Sequence, residues 1–516
     1  MTTEPPHKQT HPLALGDRHL TPGDVEDVGR RMRPVEISAG GIAAIEKSHR
    51  HFTQMLESNR PIYGANTGFG ALATRRIPAA DLESLQVNLL HSHAAGAGSM
   101  LPEDVVRSAM LLRAGSLTRG FSGVRVELVG QIISLLNAGI YPCVPEQGSL
   151  GASGDLAPLA HMALALVGEG EVRLEGEVLP AGQALKRRGI EPLTLEPKEA
   201  LALINGTPFL TAIAVLALLD AERLLCSAVG VSALSAFAIA ARQEPFDARL
   251  QRARPHPDQV RVASLIRELL GPQADTGRIA TRLQDPYSVR CVPQVYGAVS
   301  NSLSHLRGSL EIEVNSATDN PLIFEDHDDP ISGGNFHGHP VALPVEGAKV
   351  AIASLGTMIE RRINLLVDGE EYGIPQFLVA EPGLNSGYMI AHYLSAGLVA
   401  ENRVLAHPSA ADSIPTSANI EDYNSMGMTA SRHFRSIVEN VEKIVAVEAL
   451  CAAQAVDLRD LKPRGALGEV YAAIRKAVPM LESDDRIIAS DIESARTVIR
   501  GGEIASIVES IEEEPS

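Results

Sequence analysis

The chain has 516 residues, 45% of them hydrophobic and 21% charged, and 45 Lys and Arg stand against 63 Asp and Glu for a formal charge of -18. A chain of this length buries roughly three quarters of the surface its unfolded form exposes, which excludes a disulfide-stapled mini-protein and a globally disordered chain. A surface of that sign has no general attraction for a phosphate backbone or an anionic membrane, so neither nucleic acid nor membrane is expected as a partner.

The first 20 or so residues are polar and proline-bearing and read as a loose arm. They lack the basic-then-apolar order of a secretory signal. Helical spacing begins at 37–57, where Ala44, Ile45, Ser48 and Phe52 fall near one stripe. The segment NRPIYGANTGFGALATRRI, with Pro61, Gly64, Gly68 and Gly70, reads as an ordered loop. Helices are predicted at 81–95, 102–114 and 125–138, then a glycine-rich interruption, QGSLGASGD, then the apolar helix LAPLAHMALALVG.

EVRLEGEVLP is the one clear hairpin, alternating around Glu175-Gly176. Further helices are predicted at 199–205 and 208–242, with 243–290 more polar and broken by prolines. They resume at 295–313, 343–366, over GLNSGYMIAHYLSAGLVAENRVLAHP with small residues at its start, and up to about 456, with a last one at 464–477 in a charged terminal region. The uncharged run Leu224–Ala241 touches the transmembrane threshold, but its alanines, serines and glycine suit a tightly packed internal helix.

The class is therefore mainly α. One boundary is placed near residue 200, with an N-terminal domain over 1–200 and a long central helical bundle plus C-terminal helices over 201–516. With no Trp, 9 Tyr and 10 Phe, helix contacts rely on small and aliphatic side chains, which let axes approach closely. Apolar helices without a solvent face point to a bundle shared between subunits. Cys143, Cys226, Cys291 and Cys451 are widely spaced and form no CxxC, the usage of reduced thiols in a cytoplasmic protein.

Chemistry concentrates at Gly151-Ala152-Ser153-Gly154-Asp155. The plain reading is a turn serine capping the next helix. The chemical reading uses the same residues. In a tight bend the Gly154 nitrogen can attack the Ala152 carbonyl carbon, and glycine suits that nitrogen because it has no Cβ to clash. Loss of water from the ring and from Ser153 then leaves an exposed methylidene, a carbon electrophile.

GSLGASGDLAPLAHMAL resembles the signature of the aromatic amino acid ammonia-lyase superfamily. YGANTGFG, SHAAG, INGT, QDPYSVRC, SGGNFH, GLNSGYMIAH and SIPTSANIED match in the expected order. The resemblance implies the fumarase/aspartase-like helical fold and a self-made cofactor, 4-methylidene-imidazole-5-one (MIO), formed from Ala152, Ser153 and Gly154. It also implies a homotetramer with shared active sites.

Within the superfamily the chain is most similar to the histidine ammonia-lyases. That implies elimination of ammonia from L-histidine to give trans-urocanate. The family roles fall on Tyr63 as β-proton base in a lid loop and on Tyr287 as a second phenol supporting the cofactor or shuttling its proton. His93 and Glu421 recognise the imidazole ring, and Met389 packs on it. Arg290 forks onto the substrate carboxylate. Asn205 contacts cofactor or carboxylate, and Phe336 supports the cofactor.

The match departs at Gly115, where the family has Asn, at Ile420 and Tyr423 beside the carboxylate, and at His339, where many histidine lyases have Glu. A lyase of a modified histidine or another aromatic amino acid, an aminomutase, and a non-catalytic helical oligomer remain as alternatives. His91/His93 and His337/His339 form HxH pairs, but no third ligand has metal-site spacing, so no metal is expected. Walker, GxGxxG, HExxH and GxSxG patterns are absent.

Overall fold

The computed structural model describes residues 11–58, 60–274, 277, 281–482 and 484–513. Helices dominate, and most lie where the apolar spacing places them. Ala39–Glu57 starts at Ser38, whose hydroxyl accepts from the Gly41 amide at 3.0 Å. Leu82–His93, Glu103–Thr118, Val126–Ala138 and Leu156–Leu166 follow, the third closed by Gly139 in the left-handed region. The longest are Pro208–Ala238, Val292–Glu313, His339–Val367 and Gly427–Leu458.

The predicted hairpin is present, with Glu171–Leu174 paired to Glu177–Pro180. Glu175 and Gly176 carry φ of 53° and 84°, the primed turn that matches strand twist.

Contacts group the chain into two units, each built from several stretches. The first holds the described residues to Leu216, with Arg307–Val345 and Pro408–Arg432. The second holds Ala217–Leu306, Glu346–His407 and the described residues from His433. In the first, Leu82–His93, Leu156–Leu166 and Glu199–Ile204 pack on one another, and Glu103–Thr118 packs on Pro22–Gly29 and Val126–Ala138. In the second, Phe434, Ile437, Val441, Ile444, Val445 and Leu450 are fully buried along one helix. Axes there approach closely, since a Cβ on Gly356 would lie 2.9 Å from a Val441 methyl.

Three stretches differ from the sequence reading. Residues 11–20 are not a loose arm: Leu13–Leu15 is a strand pairing in parallel with Val35–Ile37, and Leu13 is fully buried. Inside the proline-broken region, Pro257–Leu270 is a regular helix with Pro257 in its first turn and Val262, Leu265, Ile266 and Leu269 buried. Beyond 477, Ile488–Gly501 and Glu503–Glu513 are helices whose Ile492, Ile499, Ile504 and Val508 face inward beneath a charged outer surface.

Leu224–Ala241 runs along the Pro208–Ala238 helix and is buried from Ser227 onward. Among the described residues one helix, His339–Val367, is long and apolar enough to cross a membrane, and 56% of that window is buried.

Candidate active site

The Ala152-Ser153-Gly154 turn is held on both sides. Gly151 accepts at its carbonyl from the Gly338 amide at 3.1 Å and the Ser425 hydroxyl at 2.9 Å. Gly154 has φ +78° and forms a parallel bridge with Gly206. A Cβ at Gly154 would lie 1.9 Å from the Gly206 carbonyl oxygen, so only glycine fits that bend. The Ser153 carbonyl accepts from Asn205 Nδ2 at 2.9 Å and from the Gly206 amide at 3.3 Å.

Asn205 is the C-cap of Glu199–Ile204, as its sequence context allows, and it also clamps the tripeptide. Its Oδ1 is buried without a hydrogen-bond partner.

Asp155, next in the chain, is fully buried. Its carboxylate accepts from the Ser149 hydroxyl at 2.9 Å and the Leu210 amide at 2.8 Å. Burial pushes it up to about 6 despite those donors. Nothing in residue type alone singles out Ser149 for that contact.

A cleft of about 600 Å³ opens over Ser153. Tyr63, His93, Ser153, Asn205 and Glu421 all line it, with Phe69, Leu89, Leu156 and Ile204 as apolar walls. The Ser153 hydroxyl donates to Glu421 Oε1 at 2.6 Å. Glu421 sits at the end of a tight turn closed by Thr416, whose hydroxyl donates to Oε2 at 3.3 Å. Ser417, Ala418 and Asn419 in that turn all have positive φ, the kind of strain that persists where surrounding structure fixes it.

His93 ends the Leu82–His93 helix, with Nδ1 2.9 Å from the Leu89 carbonyl. A carbonyl only accepts, so Nδ1 carries the hydrogen and Nε2 is left as an acceptor. Burial holds the ring below its ordinary value, outweighing the pull of the Leu89 carbonyl and Glu421. Tyr63 accepts at its hydroxyl from the Gly70 amide at 3.1 Å and stands edge-on to Phe69. Asn66 and Thr67 of the same loop are buried and bond within it, Asn66 to the Ile62 amide and the Arg60 carbonyl.

The sequence profile of the aromatic amino acid lyase family matches residues 20–476. Histidine ammonia-lyase of Geobacillus thermodenitrificans is 48% identical over 93% of this chain and 96% of the relative. The chain belongs to the aromatic amino acid lyase family.

Two solved structures of the fold frame the question of reaction. Histidine ammonia-lyase from Trypanosoma cruzi matches with a TM-score of 0.90 at 38% identity, covering 97% of this chain and 95% of that one. Tyrosine aminomutase from Streptomyces globisporus matches with the same score and identity, covering 97% and 99%. Backbone likeness is thus equal for two different reactions, and the side chains in the cleft must discriminate.

In this lyase-family chain the remaining candidates are not among the residues that line the cleft. Tyr287, Arg290 and Met389 belong to the second unit. Tyr287 is 70% exposed, and the Arg290 guanidinium lies over its ring at 4.6 Å. Arg290 Nε is shielded from solvent without a partner. The turn carrying both is anchored by Arg362, whose Nη1 donates to the Ser288 carbonyl at 2.7 Å. Met389 opens the Met389–Leu405 helix. Phe336 is in the first unit, half-buried, and is not among the residues lining the cleft.

The HxH pairs have other work. His91 pairs with Glu169, and His93 is committed to Leu89. His337 donates from Nε2 to the Tyr423 carbonyl at 3.1 Å and accepts at Nδ1 from the His339 amide. Two departures from the family pattern, His339 and Tyr423, touch each other at 5.8 Å between ring centres. A third, Gly115, leaves room for Leu20, whose methyl would lie 3.3 Å from a Cβ placed there.

Proposed function

We propose that this chain is a histidine ammonia-lyase, eliminating ammonia from L-histidine to give trans-urocanate. The observation carrying the substrate assignment is the meeting of His93 and Glu421 in the cleft over Ser153. Each presents an acceptor, so either takes the imidazole N–H. A phenyl ring offers no donor to His93 Nε2 or to the carboxylate, and a buried polar group left unpaired costs about 1–3 kcal/mol.

The residues at 152–154 fit an MIO group. The bend tolerates no Cβ at Gly154, the clamp on the Ser153 carbonyl is formed, and Asn205 Oδ1 is a buried acceptor awaiting a donor. MIO supplies an electrophilic carbon that makes the α-amine a better leaving group. Ala152, Ser153 and Gly154 would form it, with Asn205 and Phe336 supporting it.

Tyr63 takes the β-proton. Its phenol oxygen faces the cleft and accepts from the Gly70 amide at 3.1 Å, which fixes its position. Arg290 binds the substrate carboxylate with its planar fork, and its unpartnered Nε supports that role. Tyr287 acts as the second phenol, and Met389 packs on the imidazole.

The protein acts as a homotetramer in which each site takes residues from more than one subunit. Supporting this, Ile390, Tyr393, Leu394 and Val404 leave an exposed apolar face on one helix, and Tyr287 is exposed. A cytoplasmic location accords with four cysteines outside any disulfide.

The test is purified protein with L-histidine, followed by urocanate absorption and released ammonia. L-phenylalanine and L-tyrosine, run in parallel, are expected to be poor substrates. Turnover of either in preference to histidine overturns the substrate assignment, and a β-amino acid product would make the enzyme an aminomutase.

A further inference from the structure

Arg113, in the Glu103–Thr118 helix, is 0% exposed. Arginine buried that deeply is ordinarily paired with a carboxylate. Here Nη1 donates to the Ala202 carbonyl at 3.0 Å and Nη2 to the Asn205 carbonyl at 2.9 Å, and Nε has no partner. Burial pushes the guanidinium down to about 10, against the opposing pull of the Asp319 and Asp155 carboxyl groups, neither of which it hydrogen-bonds. Its two acceptors lie at the C-terminal end of Glu199–Ile204, where helix carbonyls lack intrahelical donors.

The segment that Arg113 grips is the one that grips the tripeptide. Asn205 Nδ2 and the Gly206 amide bind the Ser153 carbonyl, and the Gly206 carbonyl accepts from the Asp155 amide at 2.6 Å. The three layers are in contact without slack. A Cβ on Gly206 would lie 2.3 Å from Arg113 Nη2, and one on Gly154 would lie 1.9 Å from the Gly206 oxygen.

We infer that Arg113 is a positioning residue for cofactor formation: its fork fixes Asn205–Gly206, which holds Ala152-Ser153-Gly154 in the bend that brings the Gly154 nitrogen to the Ala152 carbonyl carbon. The inference rests on the proposed MIO chemistry. In that closure the bond from Gly154 N to Ala152 C forms. The Ala152 oxygen departs as water with the protons of the Gly154 and Ser153 nitrogens. The Ser153 Cβ–Oγ bond then breaks, and the hydroxyl leaves with the Cα proton as a second water. No oxidant or reductant is needed. The Ser153 carbonyl survives both losses, so the clamp on it persists throughout. Holding reacting atoms in register is worth most in such a step, because closure then costs little further ordering.

The test compares Arg113→Gln and Arg113→Lys with the parental chain. It follows the mass of the peptide carrying 152–154 against time after purification, alongside thermal unfolding. Glutamine removes the two-pronged donor, and lysine keeps the charge with a shorter, unforked reach. Folded R113Q is expected to lose the two waters about tenfold more slowly than the parent, with R113K intermediate. A lowered melting temperature with parental conversion of the folded chain means a purely structural role and overturns the inference. If R113Q yields no folded protein, R113K decides: slowed conversion supports the inference and parental conversion overturns it. A parental chain that never loses the waters sinks the cofactor reading itself, an outcome read on that chain alone, and the role of Arg113 falls with it.

Discussion

The Ser153 hydroxyl donates a hydrogen bond to Glu421 across 2.6 Å, so the carboxylate proposed to bind the substrate ring also touches the serine proposed to form the electrophile. Glu421→Gln keeps shape and loses charge. It is expected to lower kcat/KM for L-histidine by about 10–100-fold, the rate equivalent of one charged hydrogen bond, while the two-water loss at 152–154 still goes to completion. Unchanged kinetics would remove Glu421 from ring recognition.

Tyr63→Phe removes the phenol proposed as general base and is expected to lower kcat by about 10²–10⁴-fold. A loss confined to KM would contradict that role. His93 adds a pH dependence. Its ring is held below the ordinary histidine value, so it is an acceptor at neutrality. As pH falls through that depressed value Nε2 gains a proton, and kcat/KM is expected to fall.

Asp155 bears on stability with the opposite sign. Its carboxyl is raised from 3.8 to about 6, so the folded state holds the proton more tightly than the unfolded one. Its contribution is therefore present at low pH and is lost as pH rises through about 6. Asp155→Asn is expected to flatten that part of the stability–pH curve, measured by urea unfolding between pH 4 and about 7. A curve of unchanged slope would show that Asp155 is ionised alike in both states.

At this scale the sequence was legible where chemistry is written in residue type: Tyr63, His93, Ser153, Asn205 and Glu421, picked out from sequence, line one cleft. Arg113, Ser149 and Thr416 were not, because their roles come from carbonyls and hydroxyls brought to them by the fold.

Among elements, the short Tyr287–Arg290 helix matters most in the second unit, and it hangs from a buried ion pair. Arg362 Nε donates to Glu448 Oε1 at 2.6 Å, its Nη2 donates to the Ser232 hydroxyl at 2.8 Å, and its Nη1 holds the Ser288 carbonyl. Both charged side chains are essentially unexposed. Glu448→Gln leaves the guanidinium buried and unpaired, and is expected to cost about 3–5 kcal/mol of stability in denaturant unfolding. A change within about 0.5 kcal/mol, the usual range for surface substitutions, would show that the pair adds nothing over its isostere.

Element type followed hydrophobic period closely. The Glu171–Pro180 hairpin and the long helices declare themselves. The Leu13–Leu15 strand did not, since a three-residue strand shows no periodicity and draws its stability from its partner at Val35–Ile37. Pro257–Leu270 was hidden by prolines that start helices as readily as they break them. The two terminal helices were hidden by acidic outer faces over a narrow apolar stripe.

For the whole molecule, the exposed face on Met389–Leu405 and the exposed Tyr287 are surfaces that assembly would cover. If sites are shared between subunits, Ser153→Ala and Arg290→Gln chains, each inactive alone, regain activity when unfolded together and refolded as a mixture. A mixture as inactive as its parts would require every site to be built within one chain. The most direct measurement is the mass of the peptide spanning 152–154 from active enzyme, before and after borohydride. The account predicts a segment lighter than its sequence by two waters that gains hydride as activity disappears. An intact, fully hydrated Ala-Ser-Gly in enzyme that still turns over histidine would contradict it.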